Sequence, residues 1–505
     1  MPTSLTPTRT LTRISVGAAT GLLLAGCFSD SGGGMAAGSE DSGRISLAML
    51  QPPRSGLTPL SDDAFKLSRW STAETLVVLD DNGEAQPALA TTWEQTDDRT
   101  WRFTLRTGVQ FHDGTELTAE QAAAALSTAN TASPRPRILD GVELTAEADG
   151  GDVVVTTAEA DPLVPQRMSS PQLAVLAASA YGENGRVNPV GTGTGPFELV
   201  DVEGTSGATL DRFDDYWGGP AAAAGIDVDF VPDGTARAAA LRTGTADIVE
   251  AIPVSQTGLL DENNVHEVPM PRTNTLYLNA GTGPFADPAV RAAARAAIER
   301  AVIVDTVYEG RADIAEGLLG PALPWAAEGR GDIPQPDGGT VPPGTTIALG
   351  TFTDRAELPE VAVLIEQQLE AVGFTVEQDV REYAFIEADA LAGAFDAFIL
   401  SRATVLDSGD PVAYLYSDFA CEGSFNIAQL CDPAVDAALE RAAALPAGPE
   451  RQAAILEAEA TILATGAAVP MLHERVIQGE GTDVRDAARD PRERILITAE
   501  TTVGN

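Results

Sequence analysis

Apolar positions along this chain follow three regimes. Residues 14–25 form an apolar run behind Arg9 and Arg13, too short to span a bilayer. Residues 28–43 (FSDSGGGMAAGSEDSG) carry no period and read as a Gly/Ser-rich coil. From Arg44 onward, period-two and period-3.6 segments alternate. Strands are predicted at 45–50, 100–105, 153–155, 197–200, 226–230, 275–279, 346–351, 374–377, 395–400 and 469–472. Helices are predicted at 119–128, capped by Thr118 with Gln121 at the capping-box position, and at 173–181. A further helix at 236–243 has Thr235 as its N-cap and Gly244 past its end. Asp287-Pro288 and Asp432-Pro433 each start a helix, aspartate as cap and proline in the first turn. The first of these places Val290, Ala294, Ala297 and Ala301 on one face. Helix 357–372 has Val361, Leu364, Ile365, Leu369 and Val372 on one stripe, and 453–464 is another helix ended by Gly466. Strand–helix alternation after residue 345 predicts a largely parallel sheet with covering helices.

The first 27 residues read as a secretion signal. The run closes on Leu24-Ala25-Gly26-Cys27, which resembles a bacterial lipobox, and the resemblance implies cleavage before Cys27 and lipid attachment to its thiol. A coil of 16 residues then tethers the body with a span of roughly 20 Å. That places the protein on the outer face of the cytoplasmic membrane.

Charge narrows the function. Acidic residues number 74 against 32 basic ones, a net charge of −42. Such a surface disfavours nucleic acid and anionic lipid, and favours solubility and cationic solutes. Lys66, in AFKLS, is the only lysine, so the chain has no Walker A loop and is not an ATPase. His266-Glu267 and His473-Glu474 begin like HExxH, but Met270 and Ile477 stand where a second histidine belongs, and no G-x-S-x-G elbow occurs. The chain does not read as an enzyme, and its residues call for no metal or cofactor.

Four pieces in order, GTGPF (193–197), DDYWGG (214–219), PDGTAR (232–237) and LRTGTADI (241–248), resemble the extracytoplasmic solute-binding proteins, family 5, that feed peptide, nickel and opine ABC importers. A second block, from PALATTW to FHDGTELTA, and a third, FADPAVRAAARAAIERAVIVDTVYEG, resemble the same family. The resemblance implies an α/β, two-lobed periplasmic-binding-protein type II-like fold with a hinge and an extra subdomain in the first lobe. Its domains would be a signal at 1–26, a tether at 27–43, lobe one at 44–275 with the subdomain at about 86–190, lobe two at 276–474, and a return at 475–505. It also implies a monomer that hands a peptide or other small-molecule solute to permease and ATPase subunits on other chains.

Site residues follow from the same resemblance. In dipeptide-binding relatives an aspartate in a similar "GDP" turn holds the peptide amino terminus, which here is Asp410, with Asp407 as the neighbouring alternative. Asp410-Pro411 reads equally well as a helix N-cap. Arg402, after the strand ending at Leu400, stands where ligands of open αβ sheets bind, and meets a solute carboxylate or a structural partner. Arg137, in PRPRILDG, matches a region that touches the chelate in nickel-binding relatives, and reads otherwise as a solvated loop arginine. Tyr277 and Tyr414 are candidates to line the cleft. Cys421 and Cys431 enclose nine residues with no histidine, which favours a disulfide over zinc in an exported protein. His112 adjoins a turn and has no ligand partner nearby in sequence.

Overall fold

Strand Ile45–Met49 is apolar at almost every position because it lies mid-sheet, parallel to Gly225–Phe230 on one side and to Ile248–Val249 on the other. The structure, a computed structural model, describes residues 43–504 except 183–184, 332, 334–337, 356 and 406–407. Cys27, its preceding apolar run and Asp407 lie outside the described residues.

Among the described residues the largest sheet has eleven strands and runs through both halves of the body. Two long strands carry it across. The outgoing strand Val265–Leu278 pairs antiparallel with the return strand Ala468–Glu480. On one side, Ile248–Val249 joins the end of the return strand. On the other, Ala397–Ala403 pairs with residues 272–278 of the outgoing strand. Register breaks twice, between Asn274 and Thr275 and, more widely, between Pro269 and Thr273, where Pro269 and Pro271 remove two amide donors from the ladder. Beyond the break, Thr346–Phe352 is parallel to both Thr375–Arg381 and Ala397–Ala403, as the alternation predicts, but the crossing strands that complete this half are antiparallel.

Cap chemistry is legible in detail. Thr118 and Gln121 form the reciprocal capping box, and Asp287 and Asp432 accept from Ala289 and Ala434 at 2.8 Å. Four expectations shift. Asp233, not Thr235, caps the helix Gly234–Thr243, accepting from the Ala236 amide at 2.7 Å. The segment at 173–181 is not a helix but two short 3₁₀ turns, Pro171–Leu173 and Ala178–Ala180, with Val175 bridged to Glu74 between them. The stripe through Ala301 breaks because helix Pro288–Ala297 ends at Ile298, leaving Ala301 exposed. Val372 is 44% exposed, one residue past the helix Glu357–Ala371.

The subdomain packs helix Ala119–Thr131 on a four-stranded antiparallel sheet built from Ala90–Asp97, Thr100–Leu105, Asp152–Thr157 and Leu144–Asp149. The recurrent motifs hold it to the rest. In GTGPF, a Cβ on Gly193 or Gly195 would stand 1.9 Å from the Thr72 or Ser71 carbonyl oxygen, so both positions admit only glycine. In DDYWGG, Tyr216 and Trp217 each donate to the Glu74 carboxylate at 3.0 Å, and Arg106 stacks on Trp217 at 4.0 Å. Burial raises the Glu74 carboxyl above its ordinary range, against the pull of those donors.

His112 is a staple. Its amide donates to the Gly193 carbonyl at 2.8 Å, and Nε2–H donates to the Gly195 carbonyl at 2.9 Å. Nδ1 is buried without a partner among the described residues, so protonation there creates a charge with nothing to meet it. Burial pushes the imidazole down to about 4. A depressed histidine stabilises the fold above its unfolded pKa of about 6.5, and the gain, about 2–3 kcal/mol, is lost as pH falls through about 4. His112→Gln keeps a donor for Gly195 and does not titrate. Its urea midpoint is expected to fall less than the wild type's between pH 7 and pH 4.5; parallel losses would contradict this assignment.

Candidate functional site

The break between Pro269 and Thr273 sets the chemistry of the site, because charged side chains from both halves gather around it. Arg402, at the carboxyl end of Ala397–Ala403, grips Asp418 with two nitrogens, Nε at 3.0 Å from Oδ2 and Nη2 at 2.8 Å from Oδ1. Asp418 is fully buried on helix Val412–Phe419, and Tyr277 donates to its Oδ2 at 3.1 Å. Burial opposes the Arg402 charge, but Asp418 outweighs it and holds the guanidinium proton more tightly than usual. Burial likewise lifts the Asp418 carboxyl to about 6 against the pull of Arg402.

The outer face of Arg402 stacks on Phe425 at 4.1 Å. Phe425 belongs to the loop closed by the Cys421–Cys431 disulfide. Tyr277 and Tyr414 are 1% and 6% exposed and pack around Phe419 behind the ion pair. They form the wall that holds Asp418, not an open cleft lining.

Asp410 stands apart from this cluster. Its Oδ1 accepts from the Val412 amide at 3.0 Å and from Arg451 Nη2 at 2.9 Å; its Oδ2 accepts from Arg451 Nε at 2.6 Å. Arg451 is itself 3% exposed and donates to the carbonyls of Ala442, Ala443 and Leu445, closing the last turn of helix Pro433–Ala444. Asp410 thus ties its turn to the helical layer; it stands one residue before the N-cap Pro411 and accepts the first helical amide, that of Val412. Arg137 lies in the first half on the 3₁₀ turn Arg137–Leu139, its side chain exposed and 3.7 Å from Asp62 while Ile138 and Leu139 are buried.

The two halves touch at the same turn. Gly409 faces the hairpin Val77–Leu79/Ala85–Pro87: a Cβ on it would lie 2.5 Å from Leu79 Cδ1, and one on Gly83 would lie 3.2 Å from the Gly409 carbonyl oxygen. A water-sized cavity of about 20 Å³ follows this seam, lined by Gly83, Gln166, Trp325, Gly409 and Asp410. A second, of about 30 Å³, lies beside the crossing strands among Arg69, Glu250, Val268, Val476 and Glu493. There Arg69 pairs with Glu250 and, at 3.2 Å, with Glu493.

Sequence reasoning missed Asp418, Arg451, Arg272, and the Arg355–Glu474 pair at 2.8 Å. A charged residue inside the outgoing strand (VPMPRTNTLYL) is the one sequence signal that would have singled out Arg272.

Residues 84–426 match the family model of bacterial extracellular solute-binding proteins, family 5 Middle. The chain belongs to this family. Nickel-binding protein NikA of Staphylococcus aureus is 26% identical over 367 residues, 70% of this chain and 73% of that protein. Glutathione-binding protein GsiB of Escherichia coli is 30% identical over 259 residues, 49% of this chain and 50% of its own length. The crystal structure of a nickel ABC transporter from Bacillus halodurans superposes with a TM-score of 0.77 at 25% identity, covering 92% of this chain and 100% of that one. Family 5 proteins are two-lobed extracytoplasmic receptors that bind a small solute or peptide and work with an ABC permease and ATPase. This chain is such a binding component, not an enzyme.

Proposed function

We propose that this chain is the lipid-anchored receptor of an ABC importer and that its solute is a short peptide. One observation carries the peptide reading. Gly409 and Asp410 stand at the seam between the halves, and Asp410 is fully engaged with Arg451. That leaves Asp407, assigned by its place in the sequence, as the carboxylate for a peptide ammonium. The glutathione-binding relative adds weight, since glutathione is itself a small peptide. Closure rotates the lobes, 44–275 and 276–474, about the crossing strands, and the permease reads the closed form.

A second reading, a nickel chelate, is favoured by the NikA relative and by the arginines at the crossing, which suit chelator carboxylates. Among the described residues no group of three or more His, Cys, Asp or Glu side chains could hold a bare metal ion. Native mass spectrometry of the gently purified protein, before and after denaturation, separates the two. A heterogeneous set of released peptide masses supports the peptide; one chelator mass with a metal isotope pattern overturns it.

Two variants probe the rest of the reading. Gly409→Val places a branched side chain against Leu79 on a left-handed backbone (φ 71°), and is expected to weaken solute binding at least tenfold by holding the seam open and also to lower the melting temperature of the empty protein. Unchanged affinity by calorimetry would remove the seam from the closing motion. Cys27→Ser is expected to leave the protein unlabelled by radioactive palmitate, and persistent labelling would place the anchor elsewhere.

A further inference from the structure

Three arginines stand around the strand crossing, and two have their own carboxylates: Arg355 has Glu474 and Arg402 has Asp418, each at 2.8 Å. Arg272 has none. Among the described residues its guanidinium forms no ion pair, and the hydrogen bond it makes goes to the Ser401 carbonyl, at 3.2 Å. That is anomalous in a chain with 74 carboxylates and 32 basic groups, where a half-buried guanidinium would readily acquire a partner. Withdrawal from water, and then repulsion from Arg355 and Arg402, push its pKa down to about 10, while Glu474 and Glu493 act the other way.

Two further groups without a partner among the described residues share the position, the Ser401 hydroxyl and the Asn274 Oδ1 acceptor. Asn274 lies directly opposite Ser401 in register, and Arg272 is two residues before Asn274, so all three occupy one face of the sheet. The Ser401 hydroxyl, on a residue 5% exposed, has no partner among the described residues. An arginine fork and a free hydroxyl together are the donor set a carboxylate takes. The location is the register break between the two halves, where a bound anion would touch the strands that must bend.

We propose that Arg272, with Ser401, is the anchor for a carboxylate group, so the solute carries at least one free carboxylate despite the strongly acidic protein around it. This rests on the solute-binding reading and assigns the residues that hold the solute's carboxylate, for peptide and chelate alike. A bound anion relieves the repulsion that Arg355 and Arg402 exert on Arg272.

Succinate is the probe, titrated at constant ionic strength into the full mature protein after its ligand has been stripped by unfolding and refolding. Wild type is expected to show a saturable rise in melting temperature with succinate and none with succinamide, its uncharged counterpart. R272Q is expected to show no rise with either. R272K keeps the charge but loses the fork, and is expected to need at least tenfold more succinate, so it decides the matter if R272Q does not fold. A flat wild-type response, or the same response in wild type and the Arg272 variants, overturns the assignment. Neither outcome bears on peptide against chelate, which the released ligand masses decide separately.

Discussion

Asp418→Asn is expected to destabilise the protein by about 3–5 kcal/mol, because it leaves Arg402 charged and partly buried with no carboxylate to meet it. Asp418 has no exposed surface, so water cannot substitute for the lost oxygen charge. The single amide oxygen can no longer serve both the Arg402 fork and the Tyr277 hydroxyl. Damage should spread to the disulfide-closed loop, since Phe425 is held there by the face of Arg402. Urea unfolding with tryptophan fluorescence reads the loss. The paired replacement Arg402→Met with Asp418→Leu is expected to be milder than Asp418→Asn alone, because it removes both charges together. A single-variant loss below about 1 kcal/mol would class the pair with ordinary surface bridges.

Gly195→Ala is the other large effect. Its new Cβ would stand 1.9 Å from the Ser71 carbonyl oxygen and 2.8 Å from the carbonyl carbon, a clash with backbone that no rotamer change relieves. The His112 bond to the Gly195 carbonyl sits on the same peptide and would be displaced. A loss of about 3 kcal/mol or more is expected, with poor secretion of the folded protein. Gly151→Ala is the control: no atom lies within 4 Å of its added Cβ, so it should be neutral or slightly stabilising. Equal effects from the two variants would contradict the packing role of GTGPF.

These cases show what the sequence made legible. Local chemistry was readable because it is set by neighbours in the chain: the capping box at Thr118, the caps at Asp287 and Asp432, and the alternation of Ile226–Phe230. The family motifs were visible as strings, but their role was not. GTGPF and DDYWGG act on Ser71, Thr72 and Glu74, more than 100 residues earlier, and no local pattern reports such a distance. The site was legible only in outline. Arg402, Tyr277 and Tyr414 do come together, yet the group they surround is Asp418, hidden in an apolar helix whose sequence, VAYLYSDF, marks it as a surface position. Asp410 showed both a cap and a ligand in sequence, and Arg451, 41 residues on, takes both of its oxygens. Segment 173–181 failed as a helix because its apolar run serves an extended bridge to Glu74 between two tight turns.

The central claim is that two lobes close on a solute about the crossing strands. Small-angle X-ray scattering tests it most directly, on the protein as purified, after ligand stripping, and after the released ligand pool is returned. The account predicts that the radius of gyration rises on stripping and falls back on return, with Gly409→Val staying at the larger value throughout. A radius that is the same in all three wild-type states would contradict it.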